Sequence, residues 1–292
     1  MRFFDLHCDT VHRAIKEKVS LYDEMLCASF KKTEYFSEYI GCFAVWIPDE
    51  LRGPNAWYFF EKSYEKLNRE KRNFKHKAIL TVEGGAVLGG ELKNIKKLKE
   101  FGVKILTLTW NGRCEIGDGV GVDGSKGLTD FGASAIKELQ ENEIFIDISH
   151  ASEPLFEDVC QIASKPFMST HSNSKSVCKH RRNLTDKQFE AIRNVNGVVG
   201  VTFCNDFLKI SKGADIEDVF SHIEYFLSLS GEDTVCIGSD FDGAEVPERL
   251  KDISKVYKLY EFMLKKNYSE QMVDKIFFSN AYNFFKRNGQ NF

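Results

Sequence analysis

The chain has 292 residues, 42% hydrophobic and 28% charged, which is ample apolar material for one large core and carries no bias toward disorder. Forty basic against forty-three acidic residues leave a formal charge of -3, so no global field exists to draw in nucleic acid or an anionic membrane. Eight scattered cysteines without a Cys-x-x-Cys pair, an acid at Asp5 before any secretory core could form, and the lack of a membrane-length apolar run predict a cytoplasmic protein with reduced thiols.

Strand-like runs rich in Val, Ile, Phe and Thr lie at 3–9, 41–47, 78–83, 103–110, 144–150, 166–171, 197–203 and 234–240. Helical patterns separate them. Leu92, Ile95, Leu98 and Phe101 recur every third residue among lysines and glutamates, marking a helix with a solvated outer face. Ser152 precedes Leu155, Phe156, Val159 and Ile162 as a helix cap, and Thr185 with Gln188 forms a capping box. Eight strands alternating with helices predict parallel βα units closed into a TIM barrel, one domain over 1–292. A doubly wound open sheet is the alternative, but no Gly-x-Gly-x-x-Gly follows the first strand. Gly84-Gly85 and the glycines of 117–124 lack phosphate-loop spacing and read as turns.

The histidines and acids fall at informative places. His7 and Asp9 are two residues apart, so in an extended strand they project to one side and can share a cation. Glu83 ends the third predicted strand, His150 the fifth, His171 the sixth and Asp240 the eighth. In a TIM barrel these ends converge on the face that carries reactive groups. Imidazole with carboxylate suits zinc, with cobalt or manganese as substitutes. Six candidates exceed the needs of one catalytic zinc, so two ions are expected, with Glu83 as bridge. His7, Asp9 and Glu83 then hold one ion, and Glu83, His150 and His171 the other. A hydroxide shared between them is the expected nucleophile.

Asp240 is the candidate proton shuttle, with Asp242 as competitor; Asp240 is preferred because it closes its strand while Asp242 enters a glycine turn. Cys8 alternates away from the ligands and is expected to pack. His12, His76 and His222 read as surface or packing residues. His180, Arg181 and Arg182 occupy the loop after the sixth strand, where an arginine facing the site could fork onto a substrate carboxylate.

Several motifs in order, Asp5-Leu-His-x-Asp9, Thr107-Leu-Thr-Trp-Asn111, Gly127-Leu-Thr-Asp-Phe-Gly132, Asp147-Ile-Ser-His-Ala-Ser152, His171-Ser172, His180-Arg-Arg-Asn183 and Ile237-Gly-Ser-Asp-Phe-Asp-Gly243, resemble the membrane (renal) dipeptidase family of zinc peptidases. The resemblance runs from Phe3 to Phe285. It implies a binuclear zinc barrel of the amidohydrolase superfamily that hydrolyses dipeptides with a free C-terminal carboxylate, L-L or L-D. It also implies His7, Asp9, Glu83, His150 and His171 as zinc ligands, Asp240 as catalytic acid, Arg182 as the substrate-carboxylate residue, and a homodimer. Relatives end the fourth strand in Thr-His, with the histidine on the substrate; here Trp110 stands in its place, so Trp110 and the adjoining Asn111 are expected to line the substrate pocket. Two alternatives stand beside this reading: hydrolysis of an N-acyl amino acid, cyclic amide or ester, and a non-catalytic metal-binding scaffold, against which the presence of Asp240 argues.

Overall fold

The computed structural model describes residues 1–290. Seven strands form one parallel sheet: β1 (Arg2–Cys8), β2 (Glu38–Trp46), β3 (Lys77–Glu83), β4 (Ile105–Thr107), β5 (Phe145–Asp147), β6 (Val199–Val201) and β7 (Val235–Ile237). Their spatial order is β5-β4-β3-β2-β1-β7-β6. The helices are α1 (Thr10–Lys16), α2 (Gly53–Glu70), α3 (Lys93–Phe101), α4 (Asp130–Glu141), α5 (Glu153–Ile162), α6 (Asp186–Asn194), α7 (Asn205–Leu208), α8 (Ile216–Ser228), α9 (Tyr257–Lys265), α10 (Glu270–Asp274) and α11 (Asn280–Arg287). The expected caps are present: Ser152 Oγ accepts from the Leu155 amide, and Thr185 with Gln188 makes a complete capping box.

The strands are buried on both faces, which is why they read as continuous apolar runs and not as alternation. Two apolar layers result. Phe3, Phe43, Leu80 and Leu106 face the helices. Phe4, Leu6, Ile40, Ile79, Ile105, Phe145, Val198 and Cys236 meet in a second cluster, closed off by Phe284 and Phe285 of α11. Residues from both ends of the sheet touch in that second cluster, as only a strongly curled sheet allows.

The predicted sixth strand is the point of difference. Segment 166–171 makes a single parallel bridge to each side, Met168 to Asp147 and Ser169 to Val199. Met168 and Ser169 exchange backbone hydrogen bonds with Ile146, Ile148, Val198 and Gly200. One bridge per side is too short a ladder for a strand, so the sheet is seven-stranded and curled where the sequence predicts eight. A second difference lies in β1, where Asp5 to Cys8 spans only Gly41 to Phe43 of β2. This bulge lets Phe3 and Cys8, five residues apart, share one layer.

Candidate metal centre and cavity

The C-terminal ends of β1 and β3, with the turns that follow β5 and β7 and segment 166–171, bring His7, Asp9, Glu83, His150, His171 and Asp240 together, and all six are buried. Ligand-type atoms of His7, Asp9 and Glu83 lie within 4.8 Å of one another, as do those of Glu83, His150 and His171, and those of His7, His171 and Asp240. Glu83 faces both ways. Its Oε2 is 3.7 Å from His7 Nε2, and its Oε1 is 2.9 Å from His150 Nε2 and 3.6 Å from His171 Nε2. His7 Nε2 also stands 3.3 Å from Asp9 and 3.9 Å from Asp240.

The donor set can be tested for a cation from its protons. His150 Nδ1 lies 2.8 Å from Asn111 Oδ1, an acceptor, so Nδ1 carries the proton. Thr170 gives its only hydroxyl proton to Asp147 Oδ2 at 2.6 Å and therefore accepts from His171 Nδ1 at 2.8 Å. Both Nε2 atoms are thereby bare lone pairs, and they face each other at 3.0 Å. Two lone pairs at that distance repel unless a cation lies against them. Asp9 Oδ1, buried and without a hydrogen-bond partner, is a further acceptor with nothing to accept. The residues fit a metal.

The charge balance says the same. Burial pushes Glu83 well above the carboxylate range despite His7 nearby, and pushes Asp240 up to about 6. Burial disfavours a charged His7, yet Asp9, Glu83 and Asp240 together push it up to about 10. Burial, with Arg182 and His7, drives His150 and His171 well below the usual imidazole range. Three buried carboxylates, Asp9, Glu83 and Asp240, thus face two cationic groups, His7 and Arg182, which leaves the cluster short of positive charge.

Backbone geometry aims two of these groups. His150 and Asp240 occupy the left-handed region at φ 66° and 64°, unusual for residues with a Cβ and costing roughly 1–3 kcal/mol each. Gly243 lies against the acids: a Cβ there would sit 2.1 Å from Asp9 Oδ2 and 2.8 Å from Asp240 Oδ1.

Beside the cluster opens a cavity of about 500 Å³, lined among others by Asp9, His12, Trp46, Glu83, Trp110, Asn111, His150, Phe207 and Asp240. Trp110 faces it, edge-on to Trp46 with ring centroids 4.9 Å apart and 6.2 Å from His150. Gly119 permits this, since a Cβ there would be 2.0 Å from the Trp110 carbonyl. Asn111 also reaches the cavity, but its side-chain oxygen is engaged by His150. Arg182 is buried; it donates to the His171 carbonyl at 3.1 Å, stacks over Phe207 at 5.3 Å, and leaves Nε unpartnered. It borders a small side cavity of about 20 Å³ that shares His150 with the larger one. Arg181 points outward, half exposed, to Asp123.

Asp242 is occupied elsewhere. It accepts from Thr10 Oγ1 at 2.6 Å and from the amides of Cys27 and Ala28 at 2.8 and 3.2 Å. Cys8 packs away from the ligands, with Sγ 3.6 Å from the Cys42 carbonyl. His222 is a packing residue, accepting from the Ser174 amide and donating to the Leu208 carbonyl, both at 3.1 Å. His180 stacks on Phe207.

Sequence reasoning assigned no role at the site to four residues that the structure places around it, Asp147, Asp5, Trp46 and His12, the last of which was expected only at the surface or in packing. Asp147 accepts from the amides of Ser149 and Thr170 and from the hydroxyls of Thr107 and Thr170, so it fixes His171 through Thr170. Asp5 accepts from Ser239 twice and from the His7 amide, tying β1 to the turn after β7; burial still pushes it up to about 7. Trp46 and His12 extend the aromatic wall, their rings 4.8 Å apart. The available signal was an acid inside an apolar strand run, which needs a buried partner.

Fold and site together define a candidate metal centre at the C-terminal edge of a curled parallel sheet. A model of the membrane dipeptidase family (peptidase family M19) matches residues 58–290, and the chain belongs to this family of dipeptide-hydrolysing metallopeptidases. A Klebsiella pneumoniae protein, the uncharacterized protein in the pqqA 5′ region, is 34% identical over 212 residues, 69% of this chain and 78% of its own length. Among solved structures, the dipeptidase AC, a metallopeptidase of family M19, superposes with a TM-score of 0.91 at 24% identity, covering 99% of this chain and 98% of its own. A metallopeptidase from Rhodobacter sphaeroides, liganded with a phosphinate mimic of the dipeptide L-Ala-D-Ala, superposes with a TM-score of 0.87 at 24% identity over 99% of both chains. The family name notwithstanding, no helix among the described residues is long and apolar enough to cross a membrane.

Proposed function

We propose that the chain is a cytoplasmic dipeptidase that holds two zinc ions, bridged by Glu83, and cleaves L-L or L-D dipeptides with a free C-terminal carboxylate. The observation that carries the metal count is the orientation of Glu83, one oxygen toward His7 and the other toward His150 and His171. Segment 166–171, bridged on both sides, serves in this reading as the eighth strand of a single-domain barrel. Cobalt or manganese would suit the same ligands.

When bound, cations at these positions supply Lewis acidity, making water a nucleophile near neutral pH and polarising the scissile carbonyl. The chain's own residues do the rest. Asn111 and Thr170 keep the Nε2 lone pairs of His150 and His171 free for coordination. Asp240 is the carboxylate placed to exchange a proton, 3.9 Å from His7 Nε2 and lining the cavity. It takes the proton of the attacking water and delivers it to the leaving amine nitrogen. Asp242, held by three donors, has no part in this transfer. Arg182 supplies fixed positive charge and a spare Nε–H for the substrate carboxylate, and Trp110 forms the wall on which a substrate side chain packs.

The test is elemental analysis of protein purified without chelator, paired with hydrolysis of L-L, L-D, N-acyl and C-terminally amidated dipeptides. The expected result is two ions per chain and cleavage of free dipeptides only. One ion at saturation breaks the binuclear reading, and equal cleavage of amides breaks the carboxylate assignment while leaving the hydrolase intact.

A further inference from the structure

The opposite end of the sheet carries a second cavity, of about 430 Å³, lined by Lys71, Arg72, His76, Lys77, Phe101 and Lys104, with Ala78, Ile79 and Leu80 of β3 at its floor. Lys77 opens the strand that Glu83 closes. At about 3.3 Å per residue the two lie roughly 20 Å apart, so this cavity is separate from the metal centre.

Among the described residues no acid lines it, and Lys71, Arg72, Lys77 and Lys104 make no ion pair, although lysines and arginines elsewhere are paired with carboxylates many times over. Two of the acids near it in the chain face other partners. Glu70, next to Lys71, accepts from Ser20, the Leu21 amide and Lys66. Glu143, beside Lys104 across the strands, is taken by Lys99 at 2.7 Å. His76 adds no charge: its Nδ1 accepts from the Tyr39 amide at 3.3 Å and its Nε2 donates to the Thr33 carbonyl at 3.1 Å. Lys71 and Lys104 are half-buried, and burial holds both below the ordinary lysine range. Partly desolvated ammonium groups without a counter-ion are costly, and an anion among them removes that cost.

Part of the lining is apolar. Phe101 lines the cavity while its ring is packed edge-on by Phe60 and Tyr64 of α2, at 5.3 and 4.7 Å. Four unpaired cations around such a floor call for concentrated negative charge joined to a flat apolar body, and the volume exceeds what a lone inorganic anion fills.

We propose that this cavity binds a small phosphate-bearing molecule with a flat apolar or aromatic body, at a site distinct from the metal centre. Titration calorimetry on the full-length, metal-loaded protein tests it with AMP, inorganic phosphate and adenosine, which carry charge and body, charge alone and body alone. AMP is expected to bind at least about fivefold more tightly than phosphate and to weaken several-fold between low and high salt, with adenosine silent. Lys71→Glu with Lys104→Glu should lower AMP affinity tenfold or more and leave dipeptide kcat/KM unchanged. Should charge reversal unfold the protein, Lys71→Gln with Lys104→Gln makes the same comparison. AMP binding that survives in the double variant belongs to another site and overturns the proposal. So does failure of AMP and phosphate alike to bind at millimolar concentration. Equal affinity for AMP and phosphate overturns the apolar body. A lowered melting temperature in the variants without AMP binding to the wild type would leave Lys71 and Arg72 as charges complementing the α2 C-terminus, and the proposal fails.

Discussion

The two ends of β3 solve opposite electrostatic problems with the same strand. At its C-terminal end Glu83 is buried among carboxylates and imidazoles, with only His7 and Arg182 as positive charge nearby, so the cluster favours a further cation. At its N-terminal end Lys77 and Arg72 are exposed and Lys71 and Lys104 half-buried, cations that water can still solvate. Burial makes the difference. A missing counter-charge at the buried end is worth several kcal/mol per group, whereas at the wet end it is a bias that a ligand can exploit.

Removing the bridge should separate the two ends most sharply. Glu83→Ala is expected to lose bound metal and all measurable hydrolysis while AMP titration at the cationic cavity stays unchanged; retained metal would break the contrast. Asp240→Asn should keep the metal and lower kcat by roughly 10²-fold or more, the usual scale for a general acid/base group. Metal loss in that variant would make Asp240 a ligand. Thr170→Val removes the link from Asp147 to His171 without touching a ligand and should weaken metal affinity roughly 10–100-fold, read by competition with a chelator. Wild-type affinity would show that the His171 tautomer is held some other way.

A smaller effect is expected at Trp110, whose substitution by histidine should reorder preference across a dipeptide panel by several-fold, because the indole is a broad apolar wall that cannot take up a proton. A uniform change in all rates would make the residue a packing element only. His222 gives a stability readout away from both ends. Burial lowers it from 6.5 to about 4, so the unfolded chain binds the extra proton first. Its contribution is complete above pH 6.5 and lost as pH falls toward 4, in all about 3 kcal/mol. Denaturation midpoints measured across that window should fall with pH in the wild type and fall less in His222→Gln.

The six residues around the metal centre were legible because each is an imidazole or carboxylate placed at the end of an apolar run, a position that carries its own chemical cost. The roles of Asn111 and Asp242 were not. Asn111 lines the cavity as expected, but that its oxygen also meets His150 was not visible, and whether Asp242 is available depends on Thr10, Cys27 and Ala28, which approach it only after the chain folds. Asp147 and Asp5 were visible as acids within apolar strands, yet their partners, Thr170 and Ser239, lie 23 and 234 residues away.

The sequence by itself determined the alternation of buried strands and capped helices, the candidate side chains that cluster at the C-terminal end of the sheet, and the family, since these rest on periodicity, residue chemistry and local spacing. Tertiary structure decided the rest: the bulge in β1, the reduction of the sixth strand to a bridged segment, the proton positions on His150 and His171, and the clustering of Lys71, Lys77 and Lys104 around Phe101. Each of these depends on contacts between segments distant in the chain, and no local preference specifies which neighbour a side chain will meet.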